Sequence, residues 1–275
     1  MWKTSGDPDQ HRNCRIMEWC FRVGVEEGKP SLTNIKLSES PAAMSSVIPE
    51  PIRTTLPVSG TTDTFPVRRV YCVGRNYAAH AIEMGHDPDR EDPFFFLKCP
   101  ENIVTADASG EITFPYPPAS NDVHHEIEMI VALKSGGRDI ALDDALGHVY
   151  GYGAGLDMTR RDLQGEMKKA GRPWEIGKAF DHSAPMTGLV PASDIGHPDA
   201  GAVWLKVNGE VRQQGDLNQM IWKVPEMICY LSGLFELAAG DLIMSGTPSG
   251  VGPVVRGDRM EGFVEGVGGF HCKVV

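Results

Sequence analysis

The chain has 275 residues, an apolar fraction of 41% and a formal net charge of -11 at pH 7. That length accommodates one large domain with an appended tail. The acidic balance argues against a nucleic-acid partner, which selects basic surfaces, and no apolar run reaches the length of a membrane span. Cys14, Cys20, Cys72, Cys99, Cys229 and Cys272 form no CxxC pair, so reduced thiols in a cytoplasmic protein are expected rather than a disulfide framework.

Residues 1–43 show neither sustained periodicity nor the architecture of a signal peptide, and are expected to form a flexible extension. Residues 44–66, rich in Pro, Thr and Ser, read as an extended lead-in, with the folded domain expected over 67–275. Residues 67–73 make a short apolar strand. Residues 75–84 are helix-forming by composition and put His80 and Glu83 on one face. A carboxylate that accepts an imidazole N–H fixes the tautomer and raises its basicity, which suits deprotonation of water. The same spacing also suits a solvated surface pair. The aromatic run Phe94-Phe95-Phe96-Leu97-Lys98 predicts a buried strand.

The run His124-His125-Glu126-Ile127-Glu128-Met129-Ile130-Val131-Ala132-Leu133 reads as one strand. Residues two apart then share a face, so Glu126 and Glu128 stand side by side, roughly 7 Å apart by strand rise. At an effective dielectric near 20 the pair repels by about 2 kcal/mol. A buried face tolerates that only with positive charge between them, and a hard divalent cation such as Mg²⁺ or Mn²⁺ supplies it with oxygen ligands. A solvent-facing edge with two harmless glutamates explains the run equally well. Asp157 closes a further strand, 148–156, after a short helix at 143–146.

Thr159-Arg160-Arg161-Asp162 fits a capping box and predicts a helix from there to about Ala170, stopped by Gly171. It carries Arg161 and Gln164 three apart, suited to gripping a carboxylate and a carbonyl. Lys178 lies in a Gly-bounded, partly apolar stretch, where a lysine near a metal can stabilise an oxyanion. The alternation around Asn208-Gly209 is a strong hairpin signal. Pro225 opens a helix predicted to end at Gly240. Ser245-Gly246-Thr247-Pro248-Ser249-Gly250 lacks the GK[ST] ending of a phosphate cradle and instead offers N–H groups and the Thr247 hydroxyl to an anion. Many short strands and few helices predict a β-rich α+β domain.

Together these segments resemble the fumarylacetoacetate hydrolase family in its short, single-domain branch. The matching pieces are Val73-Gly74-Arg75-Asn76-Tyr77-Ala78-Ala79-His80, His124-His125-Glu126-Ile127-Glu128, Leu156-Asp157-Met158-Thr159-Arg160-Arg161-Asp162, Lys178-Ala179-Phe180-Asp181, the Asn208-Gly209 hairpin and Ser245-Gly246-Thr247-Pro248, in the family's order. The resemblance implies a mixed β-sandwich or roll of the family's C-terminal-domain type, and a homodimer. It assigns Mg²⁺, or Mn²⁺, to Glu126, Glu128 and Asp157. His80 and Glu83 become the water-activating dyad and Lys178 the enolate stabiliser. Arg161, Gln164 and Thr247 become substrate contacts. Long members carry an extra domain and a further aspartate ligand where this chain has Val73, so about half of an octahedron is left for water and substrate oxygens.

The expected reaction is hydrolytic C–C cleavage of a 2,4-diketo acid, a small anionic keto acid of the fumarylpyruvate kind met in gentisate and other aromatic breakdown, to pyruvate and a carboxylic acid. Lys98, or Arg90 in the loop 85–93, is expected to meet a distal carboxylate. Three other outcomes stay open: acylpyruvate hydrolysis with oxaloacetate decarboxylation, isomerisation or decarboxylation of a diene-dioate, and a non-catalytic binding relative.

Overall fold

Every residue of the strand Ile127–Leu133 is buried, and its side chains divide by parity. Ile127, Met129, Val131 and Leu133 enter a large core, while Ile130 and Ala132 enter a smaller one. Strands covered on both faces read as continuous apolar runs, as this one does after its two glutamates. The computed structural model describes residues 46–77 and 92–275. It places this strand inside a six-stranded sheet with the order Val190–Pro191, Val149–Leu156, Ile127–Leu133, Asp241–Met244, Arg69–Gly74 and Phe94–Lys98. The pair Asp241–Met244 and Arg69–Gly74 is parallel; the other pairings are antiparallel.

The second large sheet has five strands, in the order Glu210–Asp216, Ala202–Val207, Arg259–Val264, Gly268–Val274 and Glu111–Phe114. Its inward residues Val203, Leu205, Met260, Val264, Cys272 and Ile112 meet Met129, Val131 and Leu156 of the first sheet in the large core. Asn208 (φ 52°) and Gly209 (φ 85°) both take the left-handed conformation that a two-residue hairpin turn of type I′ demands. The architecture is α+β and strand-rich, and the longest helix among the described residues is Val224–Leu234. By internal contacts the chain divides at Glu50, leaving Pro51–Val275 as one compact unit.

Several local expectations fail, each for a nameable reason. The helix expected from Thr159 starts at Arg161, because Thr159 forms a two-residue strand with Arg160 and its hydroxyl donates to the Asp157 carbonyl instead of capping. The helix expected to reach Gly240 ends at Leu234, where Phe235 turns extended and the Leu237 N–H goes to the Gly137 carbonyl. Arg75 has a positive φ of 54° and Tyr77 bridges Met220, so the helix expected over 75–84 does not begin before residue 78. Residues 78–84, like 1–43, lie outside the described residues. Phe94–Lys98 is an edge strand with Leu97 43% exposed, while Lys98 is the buried end. Finally, Glu126 is not in a strand: it occupies the one-residue break between Val123–His125 and Ile127–Leu133, which belong to different sheets.

Candidate active site

That break creates the site. The chain leaves a three-stranded sheet at His125 and enters the six-stranded one at Ile127. Glu126 spans the gap with its carbonyl accepting the Asp157 N–H at 2.9 Å. Asp157 itself sits just past the end of Val149–Leu156, the neighbour strand on which Glu128 pairs with Gly155. Glu126, Glu128 and Asp157 therefore converge from two adjacent strand ends. One carboxylate oxygen from each lies within 4.8 Å of the others, and all three residues are buried.

Cations crowd the cluster. Lys178, at the end of the helix Glu175–Lys178, donates to Glu126 Oε2 at 2.8 Å, Asp157 Oδ2 at 2.6 Å and Thr159 Oγ1 at 2.7 Å. Burial lowers its affinity for the proton, but the charges of Asp157 and Glu126 outweigh this and hold it above its ordinary value. The Arg161 guanidinium pairs with Glu126 Oε1 and donates to Gln164 Oε1 at 2.6 Å and to His124 Nδ1 at 3.4 Å. Lys98 brings its ammonium to 2.8 Å from Asp157 Oδ1. That contact is close enough for an ion pair but not aligned as a hydrogen bond, so Asp157 Oδ1 has no aligned donor. Lys98 spends its own donors on the carbonyls of Met158 and Lys178.

Glu128 is the exception. It accepts the Gly246 N–H at 2.8 Å and, among the described residues, pairs with no cation. Burial, then the charges of Asp157 and Glu126, push its carboxyl well above the usual range. A buried anion pushed this way, beside an Asp157 oxygen with no aligned donor, is what a divalent cation relieves. The donor set is hard oxygen, as Mg²⁺ or Mn²⁺ prefers. The residues present fit such an ion.

The loop after Asp241–Met244 is held by two buried side chains that sequence reasoning overlooked. Asn76 donates to the carbonyls of Ser245 at 2.8 Å and Trp222 at 2.9 Å, and accepts the Trp222 N–H at 2.7 Å. Gly246 has φ 89°, and a Cβ there would lie 2.6 Å from Asn76 Cβ, so only glycine delivers its N–H to Glu128. Gln213 accepts the Ile127 N–H at 3.1 Å and donates to Thr247 Oγ1 at 2.7 Å and Pro248 O at 2.9 Å. It is the one fully buried residue of Glu210–Asp216, and it is polar. His125 is buried against Gln213 at 2.8 Å, with its imidazole held towards the neutral form by burial. His124 faces Asp122 at 2.8 Å.

A cleft of about 180 Å³ opens over the cluster. Glu126, Glu128, Asp157, Arg161, Gln164, Lys178 and Thr247 all line it, so seven of the residues singled out from the sequence meet in one place. Phe94, Phe96 and Trp174 form an apolar wall, Arg75 and Lys168 add positive charge, and Val73 stands on the same surface. Lys98 is only 2% exposed and is not among the lining residues. Its ammonium is committed to Asp157 and two carbonyls, so the structure corrects the expectation that it meets a distal carboxylate. His80, Glu83, Arg90 and most of the loop 85–93 lie outside the described residues.

Comparison with known proteins agrees with this geometry. The family described as Fumarylacetoacetate (FAA) hydrolase C-terminal matches residues 69–275. The crystal structure of fumarylpyruvate hydrolase from Pseudomonas aeruginosa in complex with Mn²⁺ and pyruvate is similar at 52% identity with a TM-score of 0.82, over 84% of this chain and 99% of that one. An oxaloacetate tautomerase of Escherichia coli is 44% identical over 197 residues, 71% of this chain and 88% of its own length. A mitochondrial oxaloacetate decarboxylase of Dictyostelium discoideum is 42% identical over 200 residues, 73% of this chain and 90% of its own.

Proposed function

Since the chain belongs to the fumarylacetoacetate hydrolase family, we propose that it hydrolyses a C–C bond of a 2,4-diketo acid, most directly fumarylpyruvate, to pyruvate and a carboxylic acid, with Mg²⁺ or Mn²⁺ as cofactor. The observation that carries this reading is the convergence of Glu126, Glu128 and Asp157 within 4.8 Å beside Lys178. Its support from outside is the 52% identity to a fumarylpyruvate hydrolase that binds Mn²⁺ and pyruvate.

Glu126, Glu128 and Asp157 would hold the ion, which when bound supplies Lewis-acid polarisation of keto and carboxylate oxygens. Asp157 is paired with Lys98 and Lys178, and Glu126 with Lys178 and Arg161, which leaves Glu128 as the carboxylate whose charge the ion would offset. Arg75 and Lys168 add positive charge to the cleft that suits an anionic substrate. Arg161, Gln164 and Thr247 bind the substrate's carboxylate and carbonyl oxygens. Lys178 puts fixed positive charge beside the oxygen that becomes negative on the pyruvate side as the bond breaks. His80, oriented by Glu83, removes a proton from the water that attacks the 4-carbonyl. Phe94, Phe96 and Trp174 exclude bulk water from that step. The working form is a homodimer in the cytoplasm.

The relatives at 44% and 42% identity favour a second reading, tautomerisation or decarboxylation of oxaloacetate. Neither reaction uses an attacking water or forms fumarate, so the products separate the two, and His80 separates hydrolysis from decarboxylation. Fumarylpyruvate, acetylpyruvate and oxaloacetate would be assayed side by side with Mn²⁺, Mg²⁺ or EDTA, for the wild type and His80→Ala. Hydrolysis predicts pyruvate and fumarate from fumarylpyruvate, abolished by EDTA and by His80→Ala. Turnover of oxaloacetate with no fumarate formed from fumarylpyruvate would establish the second reading in its place.

A further inference from the structure

We propose that Gln213 is a positioning residue that fixes the direction of the Thr247 hydroxyl proton, making Thr247 a hydrogen-bond donor to an anionic substrate oxygen in the cleft. This rests on the keto-acid reading above and deepens it. Gln213 is completely buried and reaches three segments at once. Its amide orientation follows from two backbone groups whose roles are unambiguous. The Ile127 N–H can only donate, so the atom 3.1 Å from it is Oε1. The Pro248 carbonyl can only accept, so the atom 2.9 Å from it is Nε2.

The second hydrogen on Nε2 then points to Thr247 Oγ1 at 2.7 Å, and Thr247 is the acceptor in that bond. A hydroxyl whose lone pair is engaged in this way keeps one proton to give. Among the described residues the Thr247 proton meets no acceptor, and Thr247 lines the cleft next to the acidic cluster. The same amide settles a second proton: with Oε1 accepting at 2.8 Å, His125 carries its hydrogen on Nδ1. A wall threonine free to rotate would serve donors and acceptors alike. With Gln213 donating to it, the hydroxyl proton is turned away from that amide and is available to an acceptor in the cleft, such as a carboxylate or keto oxygen.

The test is a double-mutant cycle read by calorimetry, with pyruvate as the ligand and Mn²⁺ present, beside the Mn²⁺ affinity of each protein alone. Thr247→Val is expected to weaken pyruvate binding roughly tenfold or more, as loss of one bond to a charged group does, and Thr247→Ser to bind nearly as the wild type. Gln213→Met is expected to weaken pyruvate binding in the wild-type background and to add nothing in the Thr247→Val background, with Mn²⁺ affinity within about twofold throughout. A Gln213→Met effect of equal size in both backgrounds, or none in the first, would overturn the proposal. So would Thr247→Val binding pyruvate like the wild type, a result that does not depend on the Gln213 variant folding. A wild type that binds no pyruvate with Mn²⁺ present would overturn the keto-acid reading as well, which sets that failure apart from the others.

Discussion

The carboxylate of Glu128 is buried, held by one backbone N–H and flanked by Asp157 and Glu126, whose charges add to the effect of burial in favouring its protonated form. Lys178 differs in that its positive charge is stabilised by the same two neighbours. The two residues are thus opposed in their relation to a bound cation, and their substitutions should separate. Lys178→Met removes charge from the reaction but also removes a competitor for the carboxylates. We expect kcat to fall by roughly two to three orders of magnitude while Mn²⁺ affinity is retained or increased, as measured by steady-state kinetics and calorimetry. Lys98 plays a different part: it is one half of a buried pair with Asp157. Lys98→Met strips Asp157 Oδ1 of its ion pair and leaves Lys178 as the cation on that carboxylate, which should cost about 1–3 kcal/mol, and denaturant unfolding of the metal-free protein reads that loss.

The helix Arg161–Lys169 carries three of the cleft residues, Arg161, Gln164 and Lys168, and is placed by contacts at its start and one turn in. At its start the Asp162 carboxylate accepts from Ser120 Oγ at 2.8 Å, the Leu163 N–H at 2.8 Å and the Asn121 N–H at 3.1 Å. Burial works to raise its pKa, yet these bonds prevail and hold it below its ordinary 3.8. A depressed carboxylate stabilises the fold above its unfolded pKa and loses that contribution as pH falls through the folded value. The melting-temperature gap between the wild type and Asp162→Asn should therefore be constant at neutral pH and narrow below about pH 4. One turn in, Gly177 lets the helix Glu175–Lys178 lie against Gln164, since a Cβ there would sit 2.8 Å from the Gln164 backbone nitrogen. Gly177→Ala should destabilise by about 1–3 kcal/mol through that backbone clash and raise KM for the keto acid. Thermal denaturation and steady-state kinetics check the two effects.

Across the whole molecule, the parts legible in sequence were those set by short-range pattern. Alternation and turn chemistry gave the hairpin at Asn208-Gly209 and the strands around Glu128, and the joint order of motifs pointed to the family. Parity put the two glutamates on one face for the wrong local reason: they converge because the chain changes sheets at Glu126, a long-range event with no sequence period. Capping logic misplaced the start of the helix at Thr159, because a buried lysine and the Asp157 carbonyl competed for its hydroxyl. Lys98 looked like a substrate contact because nothing local shows that an edge strand turns its last side chain inward onto Asp157. Gln213 and Asn76 went unnoticed because their partners lie 34 to 169 residues away in the chain.

The central claim is that three buried carboxylates form one divalent-cation site on which a keto acid docks. Calorimetric titration of Mn²⁺ into the wild type and into Glu128→Gln, each followed by pyruvate, tests it most directly. We expect one Mn²⁺ per wild-type chain, pyruvate binding only after the metal, and loss of both events in the variant. Equal Mn²⁺ binding by the two proteins, or pyruvate binding with no dependence on Mn²⁺, would contradict it.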